Sequence, residues 1–198
     1  MYSLPTTITI TNGKQYAITN DGDYRIILQC FEAIGDAELS EDERVLASLL
    51  IFYNEFNSFD DLLELTTEEM SELITSMFNF FNCNQPEGVG HNAGRKLIDW
   101  QQDEHIIVSA INNVAHTEVR SLDYLHWFTF MGYYLSVGES VLSTVVSIRD
   151  KIIHGKKLED FERKFKQNNP QYFNWQSKTA DEIAMDEYVK SLWNKGDK

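Results

Sequence analysis

The sequence predicts a mainly α-helical protein with a short N-terminal β-hairpin and a C-terminal amphipathic helix. Apolar residues recur at helical spacing through most of the 198 residues, whereas alternation typical of strands occurs only at residues 6–19. Hydrophobic residues make up 42% of the chain and aromatic residues 13%, which is enough material for a packed core. At this length we expect one substantial domain or one domain with an appendage.

The hairpin is predicted from the stretch "TTITITNGKQYAIT", residues 6–19. Thr and Ile alternate before Asn12-Gly13, and polar and apolar residues alternate after it. Asn and Gly both tolerate positive φ, so the pattern predicts a two-residue turn of type I′. A lone hairpin is marginal in water, and we therefore expect it to pack on the helices or to pair with another chain.

The first segment, residues 1–82, continues with three helices that carry clear start signals. One runs from an Asp cap before Tyr24 to Gly35, and the others begin with the capping boxes Ser40–Glu43 and Thr66–Glu69. Residues 83–96 follow as a Gly-rich loop, which contains three glycines and one proline and is the best internal boundary.

Residues 97–168 are predicted to form an aromatic-rich helical core within the same globular unit. A helix capped by Asp99 comes first, and the apolar stretch from Ser121 to Ile148 then divides into two helices around Gly138. A single membrane span is disfavoured because the carboxylate of Glu139 lies near its middle, at a cost of about 2.5–3.5 kcal/mol. Residues 169–198 are predicted to form a polar linker and an amphipathic helix with a third capping box, Thr179–Glu182.

The aromatic stretch divides into residues expected in the core and residues expected at a partner. Trp127, Phe128, Met131 and Leu135 are expected in the core. One edge of the same set is predicted to contact a partner. One side of the C-terminal helix either docks on a partner or packs back onto its own domain. The predicted partner-binding residues are Phe130, Tyr133, Tyr134, Met185, Tyr188 and Leu192.

The sequence contains no pattern typical of a catalytic, cofactor or metal site, so we expect a protein that is not an enzyme. Its five histidines lack the spacing of zinc-binding motifs, and His126 is interpreted as a core histidine. The stretch "GVGHNAG" lacks the lysine of a phosphate-binding loop. Asp103, Glu104 and His105 are interpreted as the solvated first turn of a helix, where acidic groups suit the helix dipole.

The charge balance disfavours nucleic acid as a partner. Thirty-one acidic residues against seventeen basic ones give a formal net charge of −14, which repels phosphates. The basic residues between Arg149 and Lys166 have two open interpretations. They are a solvated helix face, or they pair with the acidic N-terminal half of a neighbouring subunit. Cys30 and Cys83 form no C-x-x-C motif and are expected as free thiols.

From Leu97 to Phe165 the chain resembles a family of phage tail proteins, often called gene product fifteen, from long-tailed phages of Gram-positive hosts. The resemblance is carried by Leu97-Ile98-Asp99-Trp100 with Asp103, Leu125-His126-Trp127-Phe128 with Gly132, Val146-Ser147-Ile148-Arg149, and Gly155-Lys156-Lys157-Leu158. The stretch "DYRIILQCFEAIGDAELSEDERVLASLLIFY" is also similar to the N-terminal half of that family.

This resemblance implies a tail assembly chaperone that binds and coats the tape measure protein and promotes assembly of the tail tube. It implies the tape measure protein as a partner, the major tail tube protein as a further one, and self-association. It places the protein in the cytoplasm of the infected bacterium and outside the mature virion, and it carries over no catalytic residues. The alternative is a structural tail component, a connector or tube-associated subunit, that is retained in the virion.

Overall fold

The computed structural model describes residues 3–85 and 97–174, which belong to two compact units. The first unit contains residues 3–85 and the segment Tyr124–Met131, and the second contains residues 97–123 and 132–174. The described part of the chain holds eight α-helices and one two-stranded sheet. This confirms the mainly α fold with an N-terminal hairpin.

The hairpin pairs β1 (Thr7–Thr9) with β2 (Gln15–Ala17) in antiparallel register, with Ile8 opposite Tyr16. The predicted type I′ turn is wrong. Gly13 has φ +85°, but Asn12 does not adopt positive φ. The N–H of Gly13 donates to the oxygen of Ile10, and the N–H of Ile10 donates to the oxygen of Lys14. These bonds define a three-residue loop that ends in a left-handed glycine, the second common way to close a hairpin.

The hairpin packs on helices of its own unit. The ring of Tyr16 is buried against Tyr53 and Phe56, at centroid distances of 5.8 and 5.6 Å. Ile18 forms a single antiparallel bridge with Tyr53. These contacts supply the apolar partner that an isolated hairpin lacks.

Four helices complete the N-terminal part of the first unit: α1 (Tyr24–Gly35), α2 (Glu41–Phe52), α3 (Phe59–Leu63) and α4 (Thr67–Phe81). The predicted start signals are confirmed. Asp23 accepts from the backbone N–H of Arg25 at α1, and α2 and α4 begin with the capping boxes of Ser40 and Thr66. The five-residue helix α3 was not predicted, although Ser58 and Asp61 form its capping box.

The core of the first unit is aromatic and is built where α2 meets α4. Phe52 packs edge-on against Phe80 and Phe81, with ring centroids 5.3 and 5.6 Å apart. The hydroxyl of the buried Tyr53 donates to the backbone oxygen of Leu73 at 2.8 Å, which satisfies its only donor in an apolar setting.

The second unit contains α5 (Glu104–Ala115), α7 (Val141–Ile153) and α8 (Asp160–Asn168). The helix α6 (Trp127–Leu135) begins in the segment of the first unit and ends in that of the second. The predicted division of the apolar stretch into two helices around Gly138 is confirmed. Ser140 starts α7 with a capping box to Ser143.

Asp99 is not the cap of α5, as the sequence suggested, because that helix begins five residues later. The Asp99 carboxylate accepts from the backbone N–H groups of Gln101 and Gln102 and stabilises a turn before the helix. Asp103 precedes α5 and is fully buried, so its interpretation as part of a solvated turn is wrong. Its carboxylate pairs with the guanidinium group of Arg149, 2.5 and 2.9 Å away.

The stretch predicted as a polar linker begins with a packed turn. Residues Pro170–Tyr172 form a single 3-10 turn, and Tyr172 is buried. Its backbone oxygen accepts from Arg149 at 2.7 Å, and its hydroxyl lies 2.9 Å from Nε2 of His105. Gln102 adds a bond from its amide to the oxygen of Gln171. The chain is therefore held against α5 and α7 up to this turn.

Two predictions fall outside the described residues. They are most of the Gly-rich loop, residues 86–96, and the C-terminal amphipathic helix. The division of the chain at that loop accordingly stays a prediction. Among the described residues, no helix combines the length and the apolar character that a membrane crossing needs.

Candidate interaction surface

The first half of α6 is buried in the first unit. The indole N–H of Trp127 donates to the backbone oxygen of Phe81 at 2.9 Å. The ring of Phe130 stacks on Tyr24 with 4.4 Å between centroids and an interplanar angle of 4°. Phe130 is only 1% exposed. This end of the helix therefore contributes to the core, not to a surface.

His126 holds the start of α6 in place through both ring nitrogens. Its Nδ1 accepts from the backbone N–H of Phe128, and its Nε2 lies 3.0 Å from the oxygen of Pro5. Because Nδ1 is an acceptor, the proton of the neutral ring is on Nε2, which donates to Pro5. Burial lowers the pKa of His126, against the opposing effects of the Pro5 oxygen and of Asp21 and Asp23. The interpretation of His126 as a core histidine is confirmed.

The last turn of α6 and the start of α7 are exposed and apolar, and both lie in the second unit. Leu135 is 75% exposed and Val141 is 48% exposed, while Tyr133 and Tyr134 are half-buried. Tyr134 packs on Trp100 with 5.4 Å between ring centroids, and burial raises its pKa. We call these four residues, Tyr133, Tyr134, Leu135 and Val141, the α6–α7 surface.

The loop between these helices keeps the α6–α7 surface nearly free of charge. Glu139 is the one charged residue between Gly132 and Ile148. The hydroxyl of Ser136 donates back to the oxygen of Gly132 at 2.8 Å, so the polar groups at the helix end are satisfied locally. Such a surface offers apolar area without directional polar groups, which suits a partner that is recognised by its apolar character and not by a particular sequence.

The predicted partner-binding residues differ in their exposure in the structure. Phe130 is a core residue, so its expected place on an exposed edge is wrong. Leu135, expected in the core, is 75% exposed. Tyr133 and Tyr134 lie next to it, and their role in binding stays a prediction. Met185, Tyr188 and Leu192 lie outside the described residues.

The basic stretch between Arg149 and Lys166 divides into paired and unpaired side chains. Arg149 is buried on Asp103, Lys151 pairs with the buried Glu162 at 2.7 Å, and Arg163 pairs with Asp160. Lys157 and Lys164 are exposed and take part in no ion pair within the part of the chain that the structure describes. The interpretation as one solvated face is therefore wrong for Arg149.

The described residues include few side chains arranged for metal binding or nucleophilic chemistry. Across residues 3–85 and 97–174, no three His, Cys, Asp or Glu side chains converge in a way that would hold a metal ion. Both cysteines are free thiols. Burial raises the pKa of the Cys30 thiol, and burial raises the pKa of Cys83 to about 11, so both stay protonated and unreactive at neutral pH.

Comparison with protein families gives a match over most of the chain. Residues 3–173 match the model of the family described as Bacteriophage Gp15 protein. The chain belongs to this family. The match covers the hairpin, all eight described helices and the turn at Tyr172. Neither the curated proteins nor the solved structures gave a match.

Membership in the Bacteriophage Gp15 family makes this a phage protein and confirms the resemblance at the level of the family. The family is not a known enzyme family.

Proposed function

We propose that this protein is a tail assembly chaperone that binds and coats the tape measure protein and promotes assembly of the tail tube. The observation that carries the proposal is the exposed α6–α7 surface, with Leu135 at 75% exposure, on a chain of the Bacteriophage Gp15 family. Its host is a Gram-positive bacterium, and the protein acts in the cytoplasm and is left out of the mature virion.

A chaperone for a long apolar client needs apolar contact area more than it needs specific polar contacts. Burying one large apolar side chain contributes about 1.5–3 kcal/mol when it is fully removed from water. Leu135 and Val141, with the rings of Tyr133 and Tyr134 beside them, offer that contribution to any apolar helix turn. Each copy therefore binds weakly, and copies that contact one another along a long client gain affinity because they are linked.

In the same proposal, the net charge of −14 keeps the coated client soluble. A coat made of acidic subunits repels other coated clients and keeps the complex in solution. The C-terminal segment supplies a second contact in this proposal, through Met185, Tyr188 and Leu192. A truncation after Gln176 that left client binding and oligomer size unchanged would remove these three residues from the proposal.

Co-expression with the tape measure protein of the same phage tests the proposal. We expect the wild type to keep the tape measure protein in the soluble fraction. The variant Leu135→Glu places a charge in the α6–α7 surface, and we expect it to leave most of the client insoluble. Leu4→Glu is the matched control, since Leu4 is an exposed leucine far from this surface in sequence, and it should behave as the wild type.

Two outcomes contradict the proposal. If the tape measure protein aggregates equally with and without the wild type, the chain is no chaperone for it. If Leu135→Glu and Leu4→Glu both keep the client soluble, the α6–α7 surface is not the binding surface. The alternative, a structural tail component, is separated by a different measurement: mass spectrometry of purified virions detects a retained connector or tube-associated subunit and does not detect a chaperone.

A further inference from the structure

The charges of the described chain are distributed very unevenly. Residues 3–85 contain fifteen acidic and three basic residues, a net charge of −12. Residues 149–166 contain seven basic and four acidic residues, a net charge of +3. Opposite charge on two parts of one chain favours association between copies, because the acidic part of one copy attracts the basic part of the next.

Each of these parts presents an exposed apolar side chain on a helix. On α3, Leu63 is 80% exposed and Phe59 is half exposed, and their spacing of four residues places them on one face. On α8, Phe161 is 60% exposed in a helix whose remaining outer residues are charged or polar. These side chains offer apolar area that a partner can bury.

The charged residues beside these apolar side chains are complementary. Asp60 follows Phe59 on α3 and Glu64 follows Leu63 directly after the helix, and within the described residues neither carboxylate forms an ion pair. Lys164 lies one helical turn after Phe161, and Lys157 lies just before α8. Both lysines are exposed and unpaired in the part of the chain that is described. The exposed apolar residues of α3 therefore have acidic neighbours, and Phe161 on α8 has basic neighbours, so the two surfaces are complementary in charge.

We propose that the protein self-associates head to tail, with α8 of one copy docked on α3 of a second copy. The contact joins two different surfaces, so each copy in a pair keeps one unused α3 or α8, and the association continues into rings or filaments. A single contact that buries three apolar side chains is weak, and the charged rim makes it sensitive to salt. This inference does not depend on the tape measure protein, and it is tested without it.

Charge reversal on each surface tests the proposal with the purified full chain. The α3 variant carries Asp60→Lys and Glu64→Lys, and the α8 variant carries Lys157→Glu and Lys164→Glu. Each places like charges across the contact, so we expect the dissociation constant of self-association to rise roughly tenfold or more in sedimentation at low salt. The control Glu32→Lys with Glu38→Lys makes the same change in net charge as the α3 variant, on exposed residues of the first unit, and should leave self-association unchanged.

A mixture of the two variants is the sharpest measurement. The reversed α3 of one variant matches the reversed α8 of the other, and their unaltered surfaces match as well. An equimolar mixture should therefore regain the wild-type distribution of masses, although each variant alone associates more weakly than the wild type. Circular dichroism confirms that each variant is folded. The proposal is overturned if the wild type is a monomer at every concentration, if the single variants associate as the wild type does, or if the mixture stays dissociated.

Discussion

Arg149 and Asp103 form a buried ion pair that ties α7 to the start of α5. The guanidinium nitrogens of Arg149 lie 2.5 and 2.9 Å from the two carboxylate oxygens, and they donate also to the backbone oxygens of Leu97 and Tyr172. Leu97 follows the Gly-rich loop and Tyr172 precedes the C-terminal segment. One side chain therefore holds both Leu97 and Tyr172 in place within the second unit.

Loss of Arg149 should be strongly destabilising. Arg149→Met leaves the Asp103 carboxylate buried without a counter-ion, and breaking such a pair costs about 3–5 kcal/mol. Urea denaturation measures the loss of unfolding free energy. Replacing both partners, as Arg149→Met with Asp103→Leu, should restore part of the stability, since no charge is then left buried alone.

Arg163→Met is the control for this measurement. Arg163 is an exposed arginine that pairs with Asp160, and such surface pairs contribute only about 0–1 kcal/mol. A loss of the same size at Arg149 and Arg163 would show that the buried pair is not the anchor described above.

The folded protein favours the neutral form of His126, so it should be less stable in mild acid, where the ring becomes protonated. Burial lowers its folded-state pKa below the usual 6.5, so the unfolded chain binds more protons in the window between the two values. The unfolding free energy therefore falls as the pH drops from about 7 through 6.5 to the folded-state pKa, and it is level above that window. Protonation of Nδ1 also breaks its hydrogen bond from Phe128.

Denaturation curves at a series of pH values between about 7.5 and 5 measure this slope, in a range where carboxylates contribute little. His126→Gln should reduce the slope, at the cost of some stability at every pH. The exposed His116, replaced as His116→Asn, should leave the slope unchanged. An identical slope in the wild type and in His126→Gln would exclude His126 as its source.

Gly22 should tolerate alanine much less well than Gly13. Both glycines have positive φ, at +79° and +85°, so alanine is strained at either position by about 1–2 kcal/mol. At Gly13 a Cβ atom meets nothing within 4 Å. At Gly22 it lies 2.8 Å from Cζ of Phe80 and 3.2 Å from Nε2 of His126.

Thermal unfolding of Gly22→Ala and Gly13→Ala measures this difference. We expect the melting temperature of Gly22→Ala to be lower by several degrees than that of Gly13→Ala. Equal losses would mean that the backbone strain alone acts and that Phe80 and His126 move aside without cost.

The sequence was most informative where a local rule governs the structure. Capping boxes at Ser40 and Thr66 and the break at Gly138 are local features, and all three predictions are confirmed. The hairpin was found by its alternation, but Asn-Gly is compatible with two loop lengths. The observed loop additionally uses the Asn12 side chain, which accepts from the N–H of Lys14.

The sequence was least informative about which charged and aromatic residues are buried. Asp103 and Arg149 are 46 residues apart, and no local pattern shows that they meet in the interior. Phe130 and Leu135 lie on an almost wholly apolar helix, so periodicity does not separate its buried side from its exposed end.

The mass and composition of the complex with the tape measure protein test the central claim most directly. We would purify the complex through a tag on the tape measure protein and measure it by multi-angle light scattering and quantitative mass spectrometry. A coat predicts a soluble complex with many copies of this chain on each client chain. A tape measure protein that is recovered only as aggregate, with this chain alone in solution, would contradict the account.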